Sequence, residues 1–282
     1  MNIIKQWPVF FLLLAFAIAP LFQGMETDVL ALVYVLLLVV FIKVFLMSYT
    51  GFRIPYNGLA LSICLFYTWM ALSISWSPAP SISLYMFVWL SIFSLCFFIY
   101  SLKKTDDWSY LPGGILCVTL IITLIGIGQS LFSGEVPTSL FATRNTYAAM
   151  INLIALPTTA YFINPKHSQY RLSILLGTAL FVLFFAVFQS GSRGAMISLW
   201  LGLTFIGVTS RKHIEKFSFI KVVIIMTTAF LISNILTEGF TIDRVELMFP
   251  DTSKSQRQLA WESSWEIIKT SPIIGTGIGT FF

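Results

Sequence analysis

Apolar runs of about 20 residues recur along nearly the whole chain, and this feature constrains the fold more than any other. A run of that length crosses the hydrocarbon core of a membrane as an α-helix. The strands of an outer-membrane barrel would instead alternate apolar and polar residues. With 57% hydrophobic and 10% charged residues, the chain also has too little polar surface to cover a soluble globule. The sequence therefore predicts an all-α, polytopic transmembrane helical bundle.

We predict nine spans from these runs, at residues 7–23, 29–47, 57–75, 81–100, 111–132, 146–163, 172–189, 195–210 and 218–236. The connections on one side carry most of the cations: Lys5, Lys43, Arg53, Lys103, Lys104, Lys166, Arg171, Arg211, Lys212, Lys216 and Lys221. The positive-inside rule therefore predicts an inner amino terminus and an outer tail. The predicted domains are the bundle, 1–236, and the start of a large outer loop, 237–282.

The outer tail is predicted to contain an amphipathic helix from Ser255 to Lys269. Its apolar face combines side chains at positions i, i+4, i+8 and i+11, namely Arg257, Trp261, Trp265 and Ile268. Ser271-Pro272 ends the helix, because proline cannot continue it. The glycines that follow, Gly275 to Gly279, form GxGxG rather than GxGxxG and follow no strand, so a nucleotide loop is rejected. They instead allow close approach of the backbone to a lipid, a sugar or another helix.

Two arginines stand out because they lie in outer connections that contain few cations. Arg144 and Arg193 each lie where the chain re-enters the membrane at the start of a helix. Asn145 and Ser192 are the predicted N-caps of those helices. A helix start with exposed N–H groups favours an anion, and arginine adds a bidentate donor for phosphate. Two such starts are predicted to hold a diphosphate, although Arg193 could instead contact lipid headgroups or cap the preceding helix.

Several other kinds of site are disfavoured. The three cysteines fall inside apolar runs without a CxxC pattern, so neither a disulfide nor a metal site is expected. The net charge of +5 mostly sets membrane orientation, so no nucleic-acid partner is expected. The spans lack buried acidic residues, which disfavours an ion-coupled transporter. Gly126, Gly128, Gly202 and Gly207 are expected to allow close contact between helices.

A general base is not identified. The two histidines, His167 and His213, fall in inner connections, on the side opposite the arginines. The outer carboxylates Glu135, Glu262 and Glu266 are more often solvated than catalytic in such positions. A non-catalytic component that binds or flips a lipid-linked glycan is therefore an alternative to an enzyme.

Four motifs resemble those of the O-antigen ligase and O-antigen polymerase family. They are Ser75-Trp76-Ser77-Pro78, Arg144-Asn145, Gly191-Ser192-Arg193-Gly194-Ala195, and Arg257 through Trp261 leading to Pro272–Gly279. The resemblance implies a multi-pass protein of the bacterial inner membrane with a cytoplasmic amino terminus. It implies transfer of a glycan from an undecaprenyl-diphosphate carrier to an acceptor at the periplasmic face, without a metal or other cofactor. The acceptor in this family is lipid A-core, a growing glycan or a protein.

The resemblance also implies roles for individual residues. Arg193 and Arg257, joined by Arg144, would bind the donor diphosphate, with Ser192 and Asn145 in support. Members of the family have about a dozen spans, and a histidine late in the large loop activates the acceptor. That histidine is expected beyond Phe282, so this chain is expected to be an incomplete portion that is inactive alone.

Overall fold

The computed structural model describes residues 7–21, 27–48, 58–102, 110–164, 170–209, 216–237 and 256–280. Within these residues every predicted span contains an α-helix, and a tenth helix lies in the predicted outer loop. The helices are α1 (Trp7–Leu21), α2 (Thr27–Ser48), α3 (Gly58–Ser73), α4 (Pro80–Leu102), α5 (Leu111–Ser133), α6 (Arg144–Phe162), α7 (Tyr170–Gln189), α8 (Arg193–Thr209), α9 (Lys216–Leu236) and α10 (Gln256–Thr270).

Many of the residues used to orient the chain lie outside the described residues. They are Lys5, Arg53, Lys103, Lys104, Lys166, Arg211 and Lys212. The two histidines, His167 and His213, and the last residue, Phe282, also lie outside the described residues. The predicted membrane orientation therefore stays a prediction, as does the division of the chain at residue 237.

Many of the described helices have the length and composition of membrane spans. Five are long and apolar enough to cross a membrane: Gly58–Trp76, Pro80–Ile99, Leu111–Ser133, Tyr170–Gln189 and Phe217–Leu236. Shorter apolar stretches lie in α1, α2 and α8. Large apolar side chains such as Leu65, Phe66 and Phe205 are exposed, as expected where lipid is the solvent. The prediction of an all-α, polytopic helical membrane protein is confirmed.

The chain divides into two compact units. One contains residues 1–15, 27–109 and 252–282, and the other contains residues 16–26 and 110–251. In the second unit α7 contacts α5, α6, α8 and α9, and every residue from Leu183 to Ser190 is buried. The second half of α7 is therefore buried on all sides, and this part of the helix lies at the centre of the unit.

The glycines that were predicted to allow close helix contact do so at Gly126, Gly202 and Gly207, whereas the prediction is wrong for Gly128. A Cβ atom added to Gly126 would lie 2.5 Å from the hydroxyl oxygen of Tyr147. A Cβ atom added to Gly128 would meet only a side chain of its own helix, at 3.9 Å, among the described residues. The difference arises because only the Gly126 face of α5 packs against α6.

We expect Gly126→Ala to lower the free energy of unfolding by about 1–3 kcal/mol, the usual effect of overpacking. Tyr147 is fully buried and its hydroxyl donates to the Thr123 carbonyl at 3.0 Å, so the ring has little freedom to move. Gly128→Ala is the matched control on the same helix, and the better helix propensity of alanine should leave stability equal or slightly higher. Unfolding midpoints in detergent measure both; equal loss of stability in the two variants would contradict this packing.

Candidate functional site

The connection between α5 and α6 is folded back onto the end of α5. The side-chain oxygen of Gln129 accepts hydrogen bonds from the backbone N–H groups of Thr138, at 3.1 Å, and Ser139, at 2.9 Å. The Ser139 hydroxyl donates to the Ile122 carbonyl at 2.7 Å. These bonds hold Ser139 at a φ of 52°, a conformation that non-glycine residues rarely adopt. The connection therefore has a fixed shape that determines where α6 begins.

Helix α6 begins at Arg144, and its N-cap is Thr143 rather than the predicted Asn145. Thr143 has an extended backbone, with φ −138° and ψ 148°, and its hydroxyl accepts a hydrogen bond from the N–H of Thr146 at 3.2 Å. Threonine is a good N-cap, and here it precedes the first helical residue directly. The prediction for Asn145 was therefore wrong by two positions, and its amide is available for another contact.

The connection between α7 and α8 is a tight, buried turn of three residues. Gly191 adopts a φ of 59°, which favours glycine, and its N–H donates to the Phe188 carbonyl at 3.1 Å. The Ser192 N–H donates to the hydroxyl oxygen of Ser190 at 3.2 Å. The Met196 N–H donates to the Ser192 carbonyl at 3.0 Å, so Ser192 occupies the N-cap position of α8, as predicted.

A hydrogen bond joins the starts of α6 and α8. The Ser192 hydroxyl donates to the side-chain oxygen of Asn145 at 2.8 Å. Two turns further along α6, the Asn152 amide donates to the Ala195 carbonyl at 2.7 Å and to the Ser198 hydroxyl at 2.9 Å. The contacts advance in the same direction along both helices. Helices α6 and α8 are therefore parallel, and both start at the same end of this unit.

Gly202 allows this parallel pair to stay close. A Cβ atom added there would lie 2.5 Å from a terminal methyl carbon of Leu156. Leu156 follows Asn152 by one helical turn, so this contact continues the same line of contacts. The hydrogen bonds that involve Asn145 and Asn152, together with the close contact at Gly202, therefore hold α6 against α8.

The two arginines that were predicted to bind a diphosphate together start the two helices of this pair. Arg144 is the first residue of α6 and Arg193 is the first residue of α8, and both are half-buried. The amino-terminal end of each helix carries about half a positive elementary charge. The two ends lie at the same end of this unit, and such ends favour an anion, for which arginine is a bidentate donor.

Two buried amide oxygens lie near these helix starts and were missed by the sequence interpretation. Asn152 is 5% exposed and Gln189 is 1% exposed, and within the described part of the chain neither side-chain oxygen has a hydrogen-bond partner. A buried unpaired oxygen costs about 1–3 kcal/mol. The available signal was an amide inside an otherwise apolar span, which is uncommon unless the side chain faces other helices.

We expect Asn145→Ala and Ser192→Ala to be energetically coupled. Removing either partner breaks the hydrogen bond that joins the two helix starts, so the double variant should lose about 1 kcal/mol less than the sum of the single effects. Thr204→Ala is the control for loss of a hydroxyl that joins no two helices, because among the described residues Thr204 donates to the Trp200 carbonyl of its own helix. The free energies of unfolding of wild type, both single variants and the double variant, measured in micelles, complete a double-mutant cycle. Additive effects of the two substitutions would show that the hydrogen bond contributes nothing to stability.

The remaining predicted site residues lie elsewhere in the chain. Arg257 is in α10, within the first unit, and its side chain lies outside the described part of the structure. Glu135, Glu262 and Glu266 are all exposed, and Glu266 accepts a hydrogen bond from Lys269 at 2.8 Å. Their exposure agrees with the interpretation that they are solvated side chains.

Comparison with known protein families gives a match in the carboxy-terminal part of the chain. Residues 178–282, slightly more than a third of the sequence, match the family model described as O-Antigen ligase. This part of the chain is therefore similar to O-antigen ligases. Comparisons with curated proteins and with solved structures give no match. The family has a membrane glycosyltransferase function of the ligase or polymerase type, which uses lipid-linked glycans and acceptors.

The O-antigen ligase domain contains Arg193 and Arg257, whereas Arg144 precedes it. The glycine-rich end of the domain lies against the turn between α3 and α4. Like Arg144, this turn precedes the domain in the sequence. The Ser83 hydroxyl donates to the Ile278 carbonyl at 2.6 Å, and the Ile278 N–H approaches the Ser73 hydroxyl at 3.4 Å. The hydroxyl groups of Ser77 and Ser83 are 2.7 Å apart. We call Ser73, Ser77 and Ser83 the serine seat.

Two glycines of this segment, Gly277 and Gly279, lie too close to the turn between α3 and α4, or to α4 itself, to carry a side chain without strain. A Cβ atom added to Gly277 would lie 2.8 Å from Ser77 Cβ, and one added to Gly279 would lie 2.6 Å from Met86 Cγ. Both glycines have positive φ, 97° and 75°. The expectation that these glycines allow close approach of the backbone is therefore confirmed for Gly277 and Gly279, whose partners are Ser77 in the turn and Met86 in α4. It is not confirmed for Gly275, where an added Cβ atom meets nothing within 4 Å among the described residues.

Proposed function

We propose that this protein transfers a glycan from an undecaprenyl-diphosphate carrier to an acceptor hydroxyl at the periplasmic face of the bacterial inner membrane. The observation that carries the proposal is the parallel pair of helix starts, opened by Arg144 and Arg193 and joined by the bond from Ser192 to Asn145. A diphosphate presents several anionic oxygens, which suit two helix dipoles and two guanidinium forks. The O-antigen ligase domain supports the same class of donor.

In the proposed reaction the acceptor oxygen forms a bond to the anomeric carbon of the glycan. The bond from that carbon to the carrier diphosphate breaks, and the diphosphate leaves with the electron pair. Arg144, Arg193 and Arg257 stabilise the negative charge that develops on it, without a metal ion or other cofactor. A base accepts the proton of the acceptor hydroxyl. Lipid A-core, a growing glycan and a protein are the candidate acceptors.

A second candidate function is a component that binds or flips a lipid-linked glycan without transferring it. The observation in its favour is the exposure of Glu135, Glu262 and Glu266, which does not suit a base held within a site. Such a component would use the same arginines for the diphosphate. Binding without turnover, in membranes that contain donor and acceptor, would favour this candidate over the transferase.

Arg257→Ala tests the transferase directly. In membranes that hold the protein expressed from its own gene, we expect glycan transfer to fall by about 10²-fold, because one donor to the leaving diphosphate is lost. Lys269→Ala is the matched control on the same helix, since Lys269 pairs with Glu266 at the surface. Gel analysis of the glycosylated acceptor gives the rate. Normal transfer by Arg257→Ala at equal expression would remove Arg257 from the proposed site.

A further inference from the structure

One edge of α10 is apolar and exposed. Trp261 is 79% exposed, Trp265 is 59% exposed and Ile268 is 50% exposed. Their spacing of four and three residues lines them along one side of the helix, which we call the tryptophan edge. The adjoining face is half-buried and consists of Ala260, Ser264 and Ile267. Helix α10 therefore contacts protein along one face while its largest apolar side chains have no cover from the described residues of this chain.

The serine seat restricts where α10 can lie. Only residues 271–276 separate the end of α10 from Gly277, which lies against Ser77 of the seat. Six residues span at most about 22 Å when fully extended. Within the first unit, the carboxy-terminal end of α10 is thus held close to the turn between α3 and α4.

The length and composition of α3 indicate that this turn lies at a membrane surface. The apolar helix Gly58–Trp76 has 19 residues. At 1.5 Å per residue it is about 28 Å long, nearly the thickness of the hydrocarbon core. The rings of Trp69 and Trp76 lie 5.7 Å apart at this end, and tryptophan is enriched where hydrocarbon meets headgroups. The seat, and with it the end of α10, therefore lies at the level of the headgroups.

We infer that the tryptophan edge of α10 is a lipid-binding surface that inserts into the headgroup boundary of the bilayer beside α3 and α4. Tryptophan suits this boundary because its ring is apolar and its N–H is polar. The charges of α10 cancel, with Arg257 and Lys269 against Glu262 and Glu266. Binding thus depends on apolar burial and needs no anionic lipid. The inference does not depend on the transfer reaction.

Spin labels test the surface in lipid bilayers. After Cys64, Cys96 and Cys117 are replaced by alanine, single labels are introduced at Trp261, Trp265, Glu262 and Glu266. Relaxation by oxygen, which concentrates in lipid, is compared with relaxation by a water-soluble nickel chelate. We expect labels at 261 and 265 to be relaxed mainly by oxygen and labels at 262 and 266 mainly by nickel. High salt and uncharged lipid should leave this pattern unchanged.

The seat provides the second arm of the test. Ser83→Ala removes the hydroxyl that binds the Ile278 carbonyl, and the oxygen preference at 261 and 265 should weaken at least twofold. Ser263→Ala is the control, because its hydroxyl bonds only within α10. Equal nickel relaxation at 265 and 266 would overturn the inference by placing the edge in water. Low relaxation of 265 by both reagents would also overturn it, by showing protein cover. Neither result involves transfer, so the proposed function would stand.

Discussion

Arg193→Ala is expected to lower glycan transfer by about 10²- to 10³-fold, the effect of removing one preorganised donor to a developing charge. Arg193 starts α8, and the residue before it is bonded to the start of α6 at 2.8 Å. The helix pair therefore fixes the backbone position from which the Arg193 side chain extends. Arg193→Lys keeps the charge but loses the bidentate fork, so we expect an intermediate loss.

Arg171→Ala is the matched control for Arg193. Arg171 lies in the first turn of α7, at the end of that helix opposite Gln189. The intervening helix is about 27 Å long at 1.5 Å per residue, too far for a shared anion. Transfer assays in membranes, corrected for expression by immunoblot, measure all three variants. An equal loss in Arg171→Ala and Arg193→Ala would show that the effect is general rather than local.

Gly277→Ala is expected to release the glycine-rich segment from the serine seat. Alanine at a φ of 97° is strained by about 1–3 kcal/mol. Its Cβ would also lie 3.1 Å from the Cα of Ser77, a backbone atom that cannot rotate away. Overpacking of this kind adds about 1–3 kcal/mol. Hydrogen exchange of residues 275–280 should therefore become at least 30-fold faster, since about 1.4 kcal/mol corresponds to a factor of ten.

Gly275→Ala separates backbone strain from the contact with the seat. Gly275 also has a positive φ, 68°, but a Cβ atom added there meets nothing within 4 Å among the described residues. Gly275→Ala introduces only the strain of a positive φ, so hydrogen exchange of residues 275–280 should accelerate less in this variant than in Gly277→Ala. The same exchange rate in both variants would mean that Ser77 does not hold the segment.

The helices were predictable from the sequence because each apolar run has the length of a membrane span. Every predicted span contains an α-helix, and even the short turn at Ser190, Gly191 and Ser192 was recognised as a break. The N-cap of α8 was also predicted, because serine directly precedes the helix there. The N-cap of α6 was not, because Thr143 and Asn145 are both good caps, and the fold of the preceding connection decided between them.

The relations between helices were not predictable from one sequence. Apolar runs do not indicate which helices pack together, so the parallel pairing of α6 and α8 came only from the structure. Asn152 was missed because its partners, Ala195 and Ser198, lie more than 40 residues away along the chain. The docking of Ile278 on Ser83 joins residues 195 positions apart. The glycines signalled that something approaches closely, but not that it is the turn between α3 and α4.

Direct measurement of carrier binding tests the central claim, that the paired starts of α6 and α8 bind a diphosphate. Purified protein in lipid nanodiscs would be titrated with undecaprenyl diphosphate and undecaprenyl phosphate, using wild type, Arg193→Ala and Arg171→Ala. We expect wild type and Arg171→Ala to bind the diphosphate at least tenfold more tightly than the monophosphate, a difference of about 1.4 kcal/mol. Arg193→Ala should lose that preference. Equal dissociation constants for the two lipids in wild type, or an unchanged preference in Arg193→Ala, would contradict the claim.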